Sequence, residues 1–296
     1  MIAPDDYRFL SDALRKHSGL SLGDGKEYLL DSRLTPVAAS FGKPDLPSLV
    51  RALRAGTDAP LLKAVCEAMT TNETLFFRDQ TPFRVLRETV LPSLAAARLA
   101  QRQKLRIWSA AASTGQEAYS IAILLAQMER QLQGVEFEIL GTDYSSEALA
   151  RARAGIYNQF EVQRGLPVQV LVQFFTQTAT GFELSPEIRR RVTFREGNLL
   201  QPFSNLGQFD IIFCRNVLIY FDTDTKRDVM NRLAKALTRG GHLFLGGTET
   251  PFGITDRIVR APGANTGVYI RSDDAGQRGA EAPPASVAPR PSASLA

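Results

Sequence analysis

The segment Ile107-Trp108-Ser109-Ala110-Ala111-Ala112-Ser113-Thr114-Gly115-Gln116-Glu117 decides the fold. A hydrophobic run stops abruptly in five small residues and a glycine, and an apolar helix follows from Ala118 to Met128. This is a strand, a tight turn and a helix N-terminus. Small side chains let a ligand lie directly on the turn's backbone, and the helix start offers N–H groups that lack intrahelical partners. A second strand, Glu138-Ile139-Leu140-Gly141-Thr142, ends in Asp143. An acidic residue at the tip of the next strand is where ribose hydroxyls find an acceptor. The two segments imply an adenosine-containing cofactor at the C-terminal edge of a parallel sheet.

Strand–helix alternation extends outward from this point. Candidate strands are 105–110, 137–142, 192–196, 209–214, 242–247 and 266–271, and candidate helices 116–131, 145–154 and 223–238. The pattern predicts a doubly wound α/β sheet over 105–272. Residues 155–191 break the rhythm and hold a short candidate hairpin around Gly181, so they read as a small β insertion. Residues 1–70 read as a small helical domain. Asp5 is placed to cap a helix carrying Phe9, Leu10, Ala13 and Leu14 that stops at Gly19. A second helix carries Tyr28, Leu29, Leu34, Val37 and Phe41, with Pro36 expected to kink or end it early. Asp45 and Asp58 are placed to cap two more. Residues 71–104 form a connector: polar Thr71-Asn72-Glu73-Thr74, then Phe76-Phe77-Arg78, then a basic helix. Residues 273–296, rich in Ala, Pro and Ser, read as a disordered tail.

A chain of 296 residues with 44% hydrophobic residues suits two domains with ordinary cores. No apolar run reaches the roughly 18 residues that span a bilayer. The N-terminus lacks the pattern of a signal peptide, so a cytoplasmic protein is expected. Cys66 and Cys214 sit in apolar contexts and read as core residues of a reducing compartment. With two histidines as well, a zinc centre is not expected. Residues 1–70 carry 9 basic and 9 acidic side chains, whereas 78–106 carry 7 basic and 2 acidic, a net of +5. That stripe reads either as a solvated linker helix or as a surface for nucleic acid or an acidic protein.

The strand Phe209–Cys214 runs into Arg215-Asn216-Val217-Leu218-Ile219-Tyr220-Phe221. Polar residues at a strand's C-terminal end face the ligand crevice, which selects Asn216 and Tyr220. Asn198 follows the 192–196 strand, where its amide could read an adenine edge with Leu199 over the ring face. Glu117 opens a helix, where the dipole favours a carboxylate; it serves only that end or it faces the ammonium of a methionine-like ligand. The turn has one glycine, so the GxGxxG dinucleotide fingerprint is absent. Two strands after the last helix fit the methyltransferase version of the fold instead. No Cys, His or Lys constellation suggests a covalent nucleophile. The Asn-Pro-Pro-Tyr signature of DNA adenine methylation is also missing.

The segments TTNETLFFRD, RIWSAAASTGQEAYSIA, GTDYSSEALARARAGIY, FREGNLL and FDIIFCRNVLIYF together resemble the CheR family of chemotaxis receptor methyltransferases. They occur in order over nearly the whole chain up to about 272. The resemblance implies a class I S-adenosylmethionine-dependent methyltransferase with a small N-terminal all-helical domain and a small β insertion. Its implied reaction is methyl transfer to glutamate side chains on the cytoplasmic helices of methyl-accepting chemotaxis receptors, leaving S-adenosylhomocysteine. Carried over by motif position, the cofactor contacts are Asn72, Thr74, Arg78, Glu117, Asp143, Asn198, Leu199, Asn216 and Val217. Arg78 and Tyr220 are placed near the methyl group. A monomer is expected, with no nucleic-acid partner and no membrane span.

Two departures stand out. Better-known members carry a basic cluster on the second N-terminal helix; here only Arg33 matches, in KEYLLDSRLTPVAASFG. The segment Thr176-Gln177-Thr178-Ala179-Thr180-Gly181-Phe182 looks shorter than in relatives that grip a receptor's C-terminal peptide, so tether-independent docking through Arg33 and the basic connector is expected. The alternatives are a scaffold that keeps the cofactor pocket without catalysis, and a methyltransferase acting on RNA through the basic connector.

Overall fold

The computed structural model describes residues 2–23, 25–264 and 267–275. Four helices open the chain: α1 (Pro4–Ser18), α2 (Glu27–Ser40), α3 (Leu46–Arg54) and α4 (Ala59–Met69). Their inward stripes, Leu10 and Leu14, Leu30 and Leu34, Leu49 and Val50, and Leu61 and Val65, make one buried core. Asp45 and Asp58 cap α3 and α4 as expected, accepting from Ser48 N and Leu61 N. Asp5 does not cap α1. The helix starts one residue earlier at Pro4, whose fixed φ suits a first turn, and Asp5 lies inside that turn. Pro36 does not end α2 either; it sits on the exposed face while Leu30, Leu34 and Ala38 anchor the other, and packing outweighs the lost hydrogen bond.

The connector leads into α5 (Thr81–Val85), a π-helical turn (Leu86–Val90) and α6 (Leu91–Gln101). The alternating region follows as β1 (Leu105–Ala110), α7 (Gln116–Gln127), β2 (Phe137–Asp143) and α8 (Ser146–Ala154). The insertion holds β3 (Ile156–Tyr157), α9 (Gln159–Gln163), α10 (Val168–Phe174), β4 (Phe175–Thr178), β5 (Gly181–Leu184) and α11 (Pro186–Arg189). The large sheet resumes with β6 (Val192–Glu196), β7 (Phe209–Cys214), α12 (Thr223–Ala236), β8 (Leu237–Leu245), β9 (Ile258–Arg260), β10 (Val268–Arg271) and the short α13 (Ser272–Ala275).

The seven-stranded sheet has the order β6-β2-β1-β7-β8-β10-β9. The first five strands are parallel, and β10 runs antiparallel to both β8 and β9. This mixed, mostly parallel sheet is the class I methyltransferase arrangement that the sequence predicted. Period-two alternation fixes its layers. In β1, Leu105 and Ile107 face a core shared with α7, while Trp108 and Ala110 face a second core shared with α12. The chain leaves β1 toward β2 on one side and reaches β7 on the other, so the crevice opens between them.

Several expected bounds shift. Strand 242–247 is the second half of β8, which begins at Leu237; α12 therefore stops at Ala236 and not 238. Helix α7 ends at Gln127, and β9 was not anticipated. Position 266 of the last expected strand lies outside the described residues. The insertion is a three-stranded sheet, order β3-β5-β4, with the anticipated hairpin at Gly181. The expected tail begins too early at 273: Asp274 is buried and accepts Gly240 N at 2.9 Å. Residues 276–296 of that tail lie outside the described residues.

One consequence of capping is testable near the site. Asp222 caps α12, and the backbone N–H of Thr225, then its hydroxyl, hold the carboxyl below its usual 3.8. A depressed folded-state pKa gives stability above the unfolded value that is lost as pH falls through the folded one. Asp222→Ala is expected to cost about 1 kcal/mol at neutral pH. Urea melts should show that gap closing as pH drops below 3.8; a constant gap would reassign the contribution to packing.

Candidate active site

A cleft of about 980 Å³, its open mouth included, lies at the C-terminal ends of β1, β2 and β7. All ten residues expected at the site line it: Asn72, Thr74, Arg78, Glu117, Asp143, Asn198, Leu199, Asn216, Val217 and Tyr220. The helical domain closes one wall through Ser18, Leu20, Thr70 and Thr71. Polar contacts hold the two parts together: Ser146 N donates to Glu67 Oε1, Lys63 Nζ to Glu196 Oε2, and Ser21 N to the Tyr220 carbonyl.

The turn after β1 is wound tightly. Ala111, Ser113 and Gly115 have φ of 62°, 51° and 94°. Two non-glycine residues in the left-handed region cost on the order of 1 kcal/mol each and must be held from outside. Ala112 N donates to the Thr142 carbonyl, Ser113 N to Asp143 Oδ2 at 2.7 Å, and Ser113 Oγ to the Asn72 carbonyl at 2.7 Å. A Cβ on Gly115 would meet Ala152, Tyr119 and Phe194 at 3.0–3.2 Å, so only glycine lets α7 sit this close to α8 and β6.

Asp143 is buried, and its other oxygen accepts Ser145 N at 2.9 Å. Burial pushes its carboxyl above the usual range, against the pull of the backbone N–H groups around it. Backbone N–H groups of Ser113, Ser145 and Tyr144 fix this carboxylate, and its remaining acceptor capacity suits a ribose hydroxyl. Glu117 is also buried. Its Oε1 accepts Ser109 Oγ at 2.9 Å and its Oε2 accepts Arg215 Nη1 at 3.0 Å. Burial raises its pKa as well, with Arg215 and Ser109 opposing.

Asn198 has a structural task as well: its Nδ2 donates to the His17 carbonyl and its Oδ1 accepts Leu200 N, so the amide ties the β6 loop to α1 and keeps one N–H and one lone pair toward the cleft. Asn216 takes a left-handed φ of 58°. Its backbone N–H, with those of Val217, Leu218 and Gly246, donates to the buried Glu249 carboxylate at 2.7–3.0 Å. A Cβ on Gly246 would lie 2.7 Å from Glu249 Oε2 and 3.0 Å from Asn216 N. Arg78 donates to the Glu73 carbonyl at 3.2 Å.

Two surface expectations fail. Arg33 is not presented for docking, because its Nη1 donates to the carbonyls of Met69 and Thr70, satisfying the end of α4. The basic stripe is largely engaged: Arg98 with buried Asp210, Arg106 with Glu138, Arg84 with Glu88 and Lys104 with Glu136. Arg215, Ser113 and Glu249 were not singled out from sequence. The signal for Arg215 was a charge at the tip of an apolar strand; for Glu249 it was one carboxylate in Gly246-Gly247-Thr248-Glu249. Among the described residues no cluster could hold a metal ion, and no helix is long and apolar enough to cross a membrane.

Residues 5–70 match the CheR methyltransferase all-alpha domain, and residues 72–264 match the CheR methyltransferase SAM-binding domain. A Vibrio anguillarum protein named chemotaxis protein methyltransferase is 42% identical over 260 residues, covering 87% of this chain and 93% of its own. A Pseudomonas aeruginosa protein named chemotaxis protein methyltransferase 1 is 42% identical over 248 residues, covering 82% and 89%. One from Borreliella burgdorferi, named chemotaxis protein methyltransferase, is 32% identical over 255 residues, covering 84% and 89%. With both domain matches in order and relatives matched over most of their length, the chain belongs to the CheR methyltransferase family.

Proposed function

We propose that this enzyme methylates glutamate side chains on the cytoplasmic helices of chemotaxis receptors. The observation that carries this reading is the single cleft joining the Asp143 and Glu117 carboxylates, on either side of a small-residue turn, to Arg78 and Tyr220. S-adenosylmethionine, when bound, supplies a methyl group on a sulfonium leaving group. Asp143 suits the ribose hydroxyls, Glu117 the ammonium, and Leu199 a face of the adenine. The acceptor glutamate, with a reference pKa of about 4.3, is already ionised at neutral pH, so no general base is needed. What remains is orientation and replacement of the carboxylate's water, together worth several kcal/mol. Arg78 orients one carboxylate oxygen and Tyr220 walls the methyl channel. One chain provides every wall of the cleft, which suits a monomer.

The scaffold alternative leaves Arg78, Asp143, Asn216 and Tyr220 together in one cleft without a purpose. The RNA alternative needs free phosphate-binding cations, and most of the stripe is engaged within the fold; salt-dependent retention on nucleic acid would revive it. We further propose that docking is independent of a receptor C-terminal tether. The β4–β5 hairpin turns in two residues, Ala179 and Thr180, which leaves little loop to seat a peptide beside the small sheet. Titration with pentapeptides from the receptors' C-termini should give no low-micromolar complex; finding one overturns the tether proposal alone.

The site assignment is tested by calorimetry. S-adenosylmethionine and S-adenosylhomocysteine should both bind, and Asp143→Ala should weaken both by about 10–100-fold, the worth of a buried charge-assisted bond. A melting curve on the same variant separates this from the loss of the Ser113 and Ser145 contacts. Unchanged affinity would remove Asp143 from the site.

A further inference from the structure

Arg215 is the most buried cation at the cleft, with a side chain only 1% exposed. Its guanidinium reaches three places at once. Nη1 donates to Glu117 Oε2 at 3.0 Å, and Nη2 donates to Asp79 Oδ2 at 2.6 Å and to the Arg78 carbonyl at 3.1 Å. These partners belong to α7 and to the connector, two walls of the cleft. The connector needs such a hold: Phe77, Asp79 and Gln80 have φ of 50°, 67° and 47°, three non-glycine residues in the left-handed region within four positions. Elsewhere it is tied by Phe77 N donating to Ser120 Oγ at 2.9 Å and by Ser113 Oγ donating to the Asn72 carbonyl at 2.7 Å.

Among the described residues Glu117 has no second cation. The groups facing it are Ser109 from β1, Arg215 and the Cys214 thiol from the end of β7, and the Glu249 carboxylate from the loop after β8. Burial holds the Cys214 thiol neutral and Glu249 is like-charged, so Arg215, first, and the Ser109 hydroxyl are the groups that favour an ionised Glu117.

We propose that Arg215 is a positioning residue for methyl transfer: it keeps Glu117 a carboxylate that can receive the cofactor's ammonium group, and it pins the connector that presents Arg78. The inference rests on the methyltransferase reading of the cleft. It makes Arg215 a bridge between cofactor binding and the reacting end of the site, although it need touch neither substrate.

The test pairs two variants. In Arg215→Gln the charge that opposes burial is lost, so Glu117 shifts further toward its protonated form and the ammonium loses a charged partner. S-adenosylhomocysteine affinity, read as a ratio to wild type at each pH to cancel the ligand's own titration, should fall about tenfold or more at neutral pH and recover as pH rises. In a Glu117→Gln background the same change should show no pH-dependent ratio. Arg215→Lys restores a charge beside Glu117 but has no planar fork to span Asp79 and the Arg78 carbonyl. It should bind S-adenosylhomocysteine within about threefold of wild type at every pH, yet transfer methyl groups to source-cell membranes about tenfold more slowly at saturating cofactor. An affinity ratio for Arg215→Gln that is flat with pH overturns the role toward Glu117. If that variant does not fold, Arg215→Lys decides: affinity and turnover falling together, or neither falling, overturns the proposal. Wild type failing to bind S-adenosylhomocysteine would instead refute the reading of the cleft.

Discussion

Arg78→Ala is expected to lower kcat by about 10²–10³-fold at saturating S-adenosylmethionine, the usual cost of one preorganised donor at a reacting group. Cofactor affinity should fall far less. The reason is position: Arg78 lines the cleft with Tyr220 and Asn216, and its backbone is fixed by the Arg215 bond while its side chain reaches along the connector to the Glu73 carbonyl. Truncation removes the guanidinium that the proposed mechanism uses to orient an incoming carboxylate and leaves the β1 turn, Glu117 and Asp143 in place. Steady-state rates with cofactor and receptor varied separately make the check. Wild-type turnover at saturating cofactor would take Arg78 out of the chemistry.

The largest expected effect on stability comes from Glu249, which motif reasoning does not select although it touches Asn216 and Val217, which it does. Its carboxylate accepts four backbone N–H groups, from Asn216, Val217, Leu218 and Gly246. Glu249→Ala strands these donors beside the core, at about 1–3 kcal/mol for each one left unsatisfied. Neighbouring losses do not add fully, so a total of about 3 kcal/mol or more is expected, a drop of roughly 6–12 °C in melting temperature. Asn216 would also lose the contact that holds its left-handed backbone, and cofactor binding should weaken with it. Glu249→Gln, with one oxygen in place of two, should fall between. A variant that melts with wild type would show that the loop does not depend on this clamp.

These two residues mark the boundary of what was legible in the sequence. Strands β1, β6 and β7 were anticipated at their observed bounds because each is a short apolar run closed by small or polar residues. The switch-point rule selected Asn216 and Tyr220 beside Asp143 and the β1 turn, and the family resemblance added Asn72, Thr74, Arg78 and Val217; all of them line one cleft. Local capping was legible for Asp45 and Asp58, and misjudged for Asp5 because Pro4 starts the helix first. What failed depends on partners distant in sequence. Arg215 meets Glu117 across 98 residues, Glu249 meets Asn216 across 33, and Arg98 meets Asp210 across 112. No periodicity reports such pairs; within the stripe of +5, Arg98 turns inward to Asp210 while Arg84 and Lys104 make exposed surface pairs. The tie Asn198 makes between the β6 loop and α1 was not legible either, since its partner His17 lies 181 residues away.

The central claim is that this cleft transfers a methyl group to a carboxylate. The most direct measurement incubates the enzyme with methyl-labelled S-adenosylmethionine and membranes from its source cell, then treats the receptor-sized labelled bands with mild base. A methyl ester hydrolyses to methanol, whereas methyl groups on nitrogen or on a nucleic-acid base do not. The account predicts receptor-sized label, released as volatile methanol and absent with Arg78→Ala. Label that resists base, or that follows nucleic acid and leaves receptor bands blank, would contradict it.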